Sequence, residues 1–173
     1  DNQTLVHLFT WLNLNNFIFE FAFMIDSLTV IMSFIVTFIS FFVHIFYIGY
    51  MKCDSSFNRF LIYTNFFTFS LLLIVFAYNF LHLFIGWELV GLSSYLLIGF
   101  WYKKESAIKA NLKAFIVNRI GDIGLLLGVI MIFVFSNTLN YNEFFLTLPN
   151  LSNIDISIFG FSLDLLPLIA LLL

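Results

Sequence analysis

The chain has 173 residues, 62% hydrophobic and only 10% charged, where soluble globular chains run at about 45–50% apolar and about 25% charged. That composition excludes an ordinary soluble domain and points to a membrane protein. A net charge of −3 offers no basic surface for nucleic acid, and the single cysteine, Cys53, excludes an intramolecular disulfide and fits no metal or redox spacing. The 26 Phe suit a lipid-facing surface and are what a strongly A+T-biased genome would encode.

In chain order, residues 1–24 read as an N-terminal loop with an amphipathic or re-entrant part, carrying Asn13, Asn15 and Asn16. Residues 25–135 read as four transmembrane helices: about 25–50, 60–77, 80–101 and 107–135. Asp26 and Ser27 are placed to serve the free N–H groups at the first helix start, and Trp101 and Tyr102 suit an interfacial aromatic belt. No proline interrupts these four spans. Residues 136–162, rich in Asn, Ser and Thr around Pro149, read as a loop, and 163–173 as the start of a fifth, truncated span. The expected architecture is an all-α, polytopic helical bundle, part of an antiporter-like fold. An opening without Met or a basic signal region, and an ending part-way through an apolar run, read as an internal or split fragment.

Charge sets an orientation. Lys52, Arg59, Lys103 and Lys104 fall in alternate loops on one side, where Lys109 and Lys113 can snorkel, while Asp1, Glu20, Asp26, Glu143, Asp155 and Asp164 lie on the other. The positive-inside rule puts the basic loops in the matrix or cytoplasm.

The third and fourth spans carry charges of their own. Glu88 lies roughly 12 Å into the third span at 1.5 Å per residue, where an ionised carboxylate must face protein, water or a cation. Gly91 and Tyr95 share its face, and Gly86, Gly91, Ser93, Ser94 and Gly99 keep that helix slim. The fourth span carries Lys109, Lys113, Arg119 and Asp122; Arg119 and Asp122, three apart, can pair within the helix. The plain alternatives are a structural ion pair for Glu88, mutual neutralisation for Arg119 and Asp122, and snorkelling for the lysines. His82, near the start of its span, is a candidate relay whose alternative is an interfacial residue, and Tyr95 is a second candidate. His44 carries the same two readings; His7 is uninformative. No zinc, haem, iron–sulfur, nucleotide or flavin motif is present, so the chain itself has no means of redox chemistry.

Phe84-Ile85-Gly86-Trp87-Glu88-Leu89-Val90-Gly91 through Ser94-Tyr95-Leu96-Leu97-Ile98-Gly99-Phe100-Trp101 resembles the signature of the largest antiporter-like membrane subunits of respiratory NADH:ubiquinone oxidoreductase (complex I), the chain 5 family. Lys113-Ala114-Phe115 and Asn118-Arg119-Ile120-Gly121-Asp122-Ile123-Gly124 resemble the following helix of that family. The resemblance implies a proton-translocating subunit in which Glu88 is the buried glutamate, Arg119 and Asp122 the charged pair on the next helix, and Lys113 the lysine before it. It places a further key lysine beyond Leu173. It implies NADH, FMN, iron–sulfur clusters and ubiquinone in other subunits, and partners in the membrane arm: the chain 4-like subunit, the rest of chain 5, and lipid. It implies the mitochondrial inner membrane, with a bacterial plasma membrane as alternative. A multi-component sodium/proton antiporter or membrane-bound hydrogenase is the competing transport reading, and a non-pumping scaffold the third.

Overall fold

A computed structural model describes residues 3–14, 17–52, 54–151, 154–158 and 161–173. Four long helices follow one another in antiparallel sequence: α1 (Ser27–Tyr50), α2 (Phe57–Val75), α3 (Phe80–Ile98) and α4 (Glu105–Ser136). All four are long and apolar enough to cross a membrane. α3 packs on α2 and on α4, and α1 on α2. Short connections carrying Lys52, Lys103 and Lys104 mark a basic end; Glu20 and Glu143 mark an acidic end.

The boundaries follow local chemistry. α1 opens on a capping box: the Asp26 carboxylate accepts from Thr29 N at 2.7 Å, and Asp26 N donates to Thr29 Oγ1 at 2.9 Å. Asn79 starts α3, accepting from His82 N at 2.8 Å. α4 stops at Asn137, whose φ of 55° is left-handed, a conformation Asn tolerates better than most. At 32 residues α4 is about 48 Å long, more than the roughly 30 Å of hydrocarbon. Its first turn carries Glu105, paired with Lys109 at 2.8 Å with both side chains exposed.

Two segments read as loops are ordered otherwise. In place of the loop with an amphipathic or re-entrant part that the sequence predicts for residues 1–24, β1 (Thr4–Leu14) and β2 (Phe17–Ile25) form an antiparallel hairpin. The cause is visible in the residues: Phe17, Phe19, Phe21 and Phe23 alternate with Ile18, Glu20 and Ala22, a period of two that suits a strand and not a helix. Phe19 and Ala22 are buried, and the hairpin docks on the α2–α3 connection through Met24 N to Phe76 O (3.2 Å) and Asn79 Nδ2 to Glu20 O (3.2 Å). The 136–162 loop holds α5 (Tyr141–Leu151) and, after it, the short pair β3 (Asp155–Ile158) and β4 (Phe161–Asp164). Tyr141, Phe144, Leu148 and Leu151 recur at helical spacing and turn α5 onto the protein. α6 (Leu165–Leu172) packs on α4. Asp1, Asn15, Asn16 and Cys53 lie outside the described residues.

The core gathers at the acidic end, where Phe80, Val129, Ile132, Phe144, Leu165 and Ile169 are buried together. Thr138 and Asn140 there donate to the Glu143 carboxylate, and burial with the Glu143 and Glu20 charges pushes the Tyr78 phenol up. Much apolar side-chain surface stays uncovered along the helices, above all on α1, where only Thr29 and Tyr47 are buried. Such a surface is stable against lipid or further helices, and not against water.

Candidate functional site

Glu88 is the ninth of nineteen residues in α3, and Arg119 lies near the middle of α4. The two helices face each other here. Arg119 Nη1 meets Glu88 Oε1 at 2.8 Å and Oε2 at 2.6 Å, so one guanidinium nitrogen serves both carboxylate oxygens. The same nitrogen stands 3.6 Å from Asp122 Oδ2, close enough for attraction and too long for a hydrogen bond. Arg119 is thus shared unequally between two carboxylates, with Glu88 the nearer. Asp122 is 4% exposed and the Arg119 side chain 48% exposed; the acid is enclosed, and the cation keeps an open side.

Packing supports this geometry. Small residues let α3 approach its neighbours: a methyl on Gly86 would meet Ile74 Cγ1 of α2 at 2.7 Å, and Gly99 is crowded by the Asn111 amide of α4. Gly91 has open space around it and mediates no close approach, contrary to its expected part in slimming the helix. Ser93 is fully buried, and Ser93 and Ser94 bond carbonyls of their own helix. Two aromatic residues that the reading of charges passed over complete the site. Phe115 lies one turn before Arg119 and carries its guanidinium over the ring at 5.3 Å. Trp87, beside Glu88, has its indole N–H within reach of the Asp122 carboxylate.

Residues 77–171 match the family model described as NADH:quinone oxidoreductase/Mrp antiporter, TM, and residues 11–61 match that of NADH-ubiquinone oxidoreductase (complex I), chain 5 N-terminus. The chain belongs to the NADH:quinone oxidoreductase/Mrp antiporter membrane family. Among its relatives, NADH-quinone oxidoreductase subunit L of Rickettsia bellii is 47% identical over 99% of this chain and 27% of that protein. The subunit L of Neisseria meningitidis serogroup A is 44% identical over 96% of the chain and 25% of that protein. NADH-ubiquinone oxidoreductase chain 5 of Chondrus crispus is 43% identical over 97% and 25%. The chain spans about a quarter of the length of these relatives.

Within this antiporter-family framework the remaining candidates separate. Of the four charged residues of α4 that are candidate partners for Glu88, Arg119 is the one that meets it, while Lys113 is exposed and makes no ion pair among the described residues. Lys109 is held by Glu105 at the surface. His82 is fully buried under the hairpin, its ring 4.7 Å from that of Phe21 and 5.9 Å from that of Phe23, and neither ring nitrogen has a hydrogen-bond partner among the described residues. Six residues separate it from Glu88, about 9 Å along the axis and a third of a turn around it, so no direct contact joins them. Tyr95 packs edge-on against Phe115 at 5.5 Å, one ring away from Arg119. It also lines a cavity of about 380 Å³ with Arg59, Tyr63 and Asn111 at the basic end. No group of three or more His, Cys, Asp or Glu that could hold a metal ion occurs among the described residues.

Proposed function

We propose that this chain is part of a proton-translocating membrane-arm subunit of NADH:ubiquinone oxidoreductase, and that Glu88, Arg119 and Asp122 carry its share of the charge movement, with Lys113, His82 and Tyr95 as further members of the path. The observation that carries the reading is one guanidinium shared at 2.6 and 3.6 Å between two carboxylates in mid-membrane. An arginine stays protonated under all working conditions, so Arg119 acts as a movable field and the carboxylates as the proton-binding groups. A carboxylate that loses its cation at low dielectric is stable only with a proton on it. A displacement of Arg119 by about an ångström, from Glu88 towards Asp122, therefore converts a change of field arriving along the membrane arm into proton uptake at Glu88, and its return into release. NADH, FMN, the iron–sulfur clusters and ubiquinone belong to other subunits in this reading, and the chain 4-like subunit and the remaining part of chain 5 are its neighbours. The membrane is the mitochondrial inner membrane, with the basic loops towards the matrix.

The matched family description also names Mrp antiporters, which keeps a sodium/proton antiporter subunit as the second reading. Co-purification decides between them: flavin and iron–sulfur subunits in the same particle support the respiratory complex, and their absence supports the antiporter. For the site itself, Glu88→Gln is expected to leave the complex assembled and to reduce proton pumping.

A further inference from the structure

A second polar constellation lies inside the membrane between α1 and α2, remote from Glu88. Thr68 Oγ1 donates to the Thr64 carbonyl at 3.0 Å. Ser40 Oγ stands 2.8 Å from Thr68 Oγ1. His44 Nδ1 stands 2.7 Å from the Ser40 carbonyl and 3.3 Å from Ser40 Oγ, and its Nε2 is 2.9 Å from Asn65 Oδ1. The Ser40–Thr68 hydroxyl pair can donate in either direction, so the state of the imidazole is set by its contact with the Ser40 carbonyl. Nδ1 faces a carbonyl at 2.7 Å and therefore carries a hydrogen.

That leaves Nε2 as the variable position. Its partner is a side-chain amide, which presents an acceptor on one edge and two donors on the other. With Asn65 Oδ1 towards the ring, Nε2–H donates and the ring is an imidazolium. With the amide turned over, Nδ2–H donates to the Nε2 lone pair and the ring is neutral. Both states keep the hydrogen bond between Nε2 and the Asn65 amide.

We infer that His44 is a proton-binding site within the membrane, distinct from the Glu88–Arg119–Asp122 site, and that Asn65 follows its charge by turning its amide. The proton arrives at and leaves from Nε2; Nδ1 keeps its own throughout. The surroundings suit this role. The imidazole lies about 9 Å from the basic end of α1 and lines a cavity of about 420 Å³ that it shares with Ser40, Thr64 and Thr68. Few charged or titratable groups lie near it. Tyr47 on α1 meets the ring edge-on at 5.3 Å. On α2, Arg59 stacks over Phe100 and Tyr102, and Tyr63 meets Phe100. α3 brings only Leu97 to the cavity.

The test is pH-difference infrared spectroscopy of the assembled complex in liposomes, with isotope-labelled histidine, comparing wild type with His44→Gln. Glutamine keeps a donor and an acceptor and cannot take the extra proton. Loss of one titrating histidine signal in the variant is expected, with a wild-type asparagine amide band that changes over the same pH interval. Identical histidine spectra in the two proteins would overturn the inference and leave the four residues as an interhelical staple. Should His44→Gln fail to assemble, Asn65→Leu decides: a displaced midpoint for that histidine supports the site, and an unchanged midpoint overturns it. Glu88→Gln leaves this signal in place, so the failure of either assignment is separate from that of the other.

Discussion

Arg119 is held by two carboxylates, and removing them singly and together measures that sharing. At an effective dielectric of about 20, the gross attraction is about 6 kcal/mol at the 2.6 Å to Glu88 and about 5 kcal/mol at the 3.6 Å to Asp122. Net values are smaller, because the Arg119 side chain is 48% exposed and desolvation opposes both contacts. Glu88→Gln leaves Asp122 within a one-ångström movement of the guanidinium, and Asp122→Asn leaves the Glu88 contact untouched. Each single change is expected to cost about 1 kcal/mol. The double variant strands a cation in the membrane, at a cost of about 3 kcal/mol or more. The excess over the sum, about 1 kcal/mol, is the signature of a shared partner. Thermal disassembly of the purified complex, followed for the three variants side by side, reads it. A double variant that equals the sum of the singles would mean that Arg119 is not shared.

Gly86→Ala sets a methyl 2.7 Å from Ile74 Cγ1 and 3.1 Å from Ile74 N, so α2 and α3 must part; a loss of about 1–3 kcal/mol is expected in the same assay. Thr29→Ala removes one half of the α1 capping box and is expected to cost about 1 kcal/mol, whereas Thr37→Ala, on an exposed turn of the same helix, should cost little. Burial pushes the Tyr141 phenol from 10.0 up to about 12. The unfolded chain then releases this proton before the folded one does, so the stability it supports is complete below pH 10 and declines as pH rises from 10 to about 12. In the folded protein, Tyr141→Phe should lack one phenol that titrates near pH 12 in the wild type, and identical tyrosinate absorbance curves for the two would contradict the burial.

The spans were legible because nothing but a bilayer tolerates such long apolar runs, and Glu88, Arg119 and Asp122 were legible because charge is so rare inside them. Their pairing was less so. Spacing along one helix favours Arg119 with Asp122, three apart, but the closer partner, Glu88, is 31 residues away on α3, and only helix packing decides that contact. The hairpin at residues 4–25 was available in principle: Phe at 17, 19, 21 and 23 is a period-two signal, obscured by a composition so rich in Phe that alternation does not stand out. α5 was hidden in the same way, its Asn and Thr suggesting a loop while Tyr141, Phe144, Leu148 and Leu151 kept helical time. The Ser40–His44–Asn65–Thr68 network could not be read from sequence, because which hydroxyls face an imidazole across two helices depends on their relative rotation.

The most direct measurement is the proton-to-electron ratio of the assembled complex in closed vesicles, with NADH oxidation and acidification followed on the same preparation. In Glu88→Gln, NADH oxidation should continue while the ratio falls below that of the wild type, and Glu88→Asp, which keeps the charge on a shorter arm, should lie between them. An unchanged ratio in an assembled Glu88→Gln complex would contradict a role for the Glu88–Arg119 pair in proton translocation.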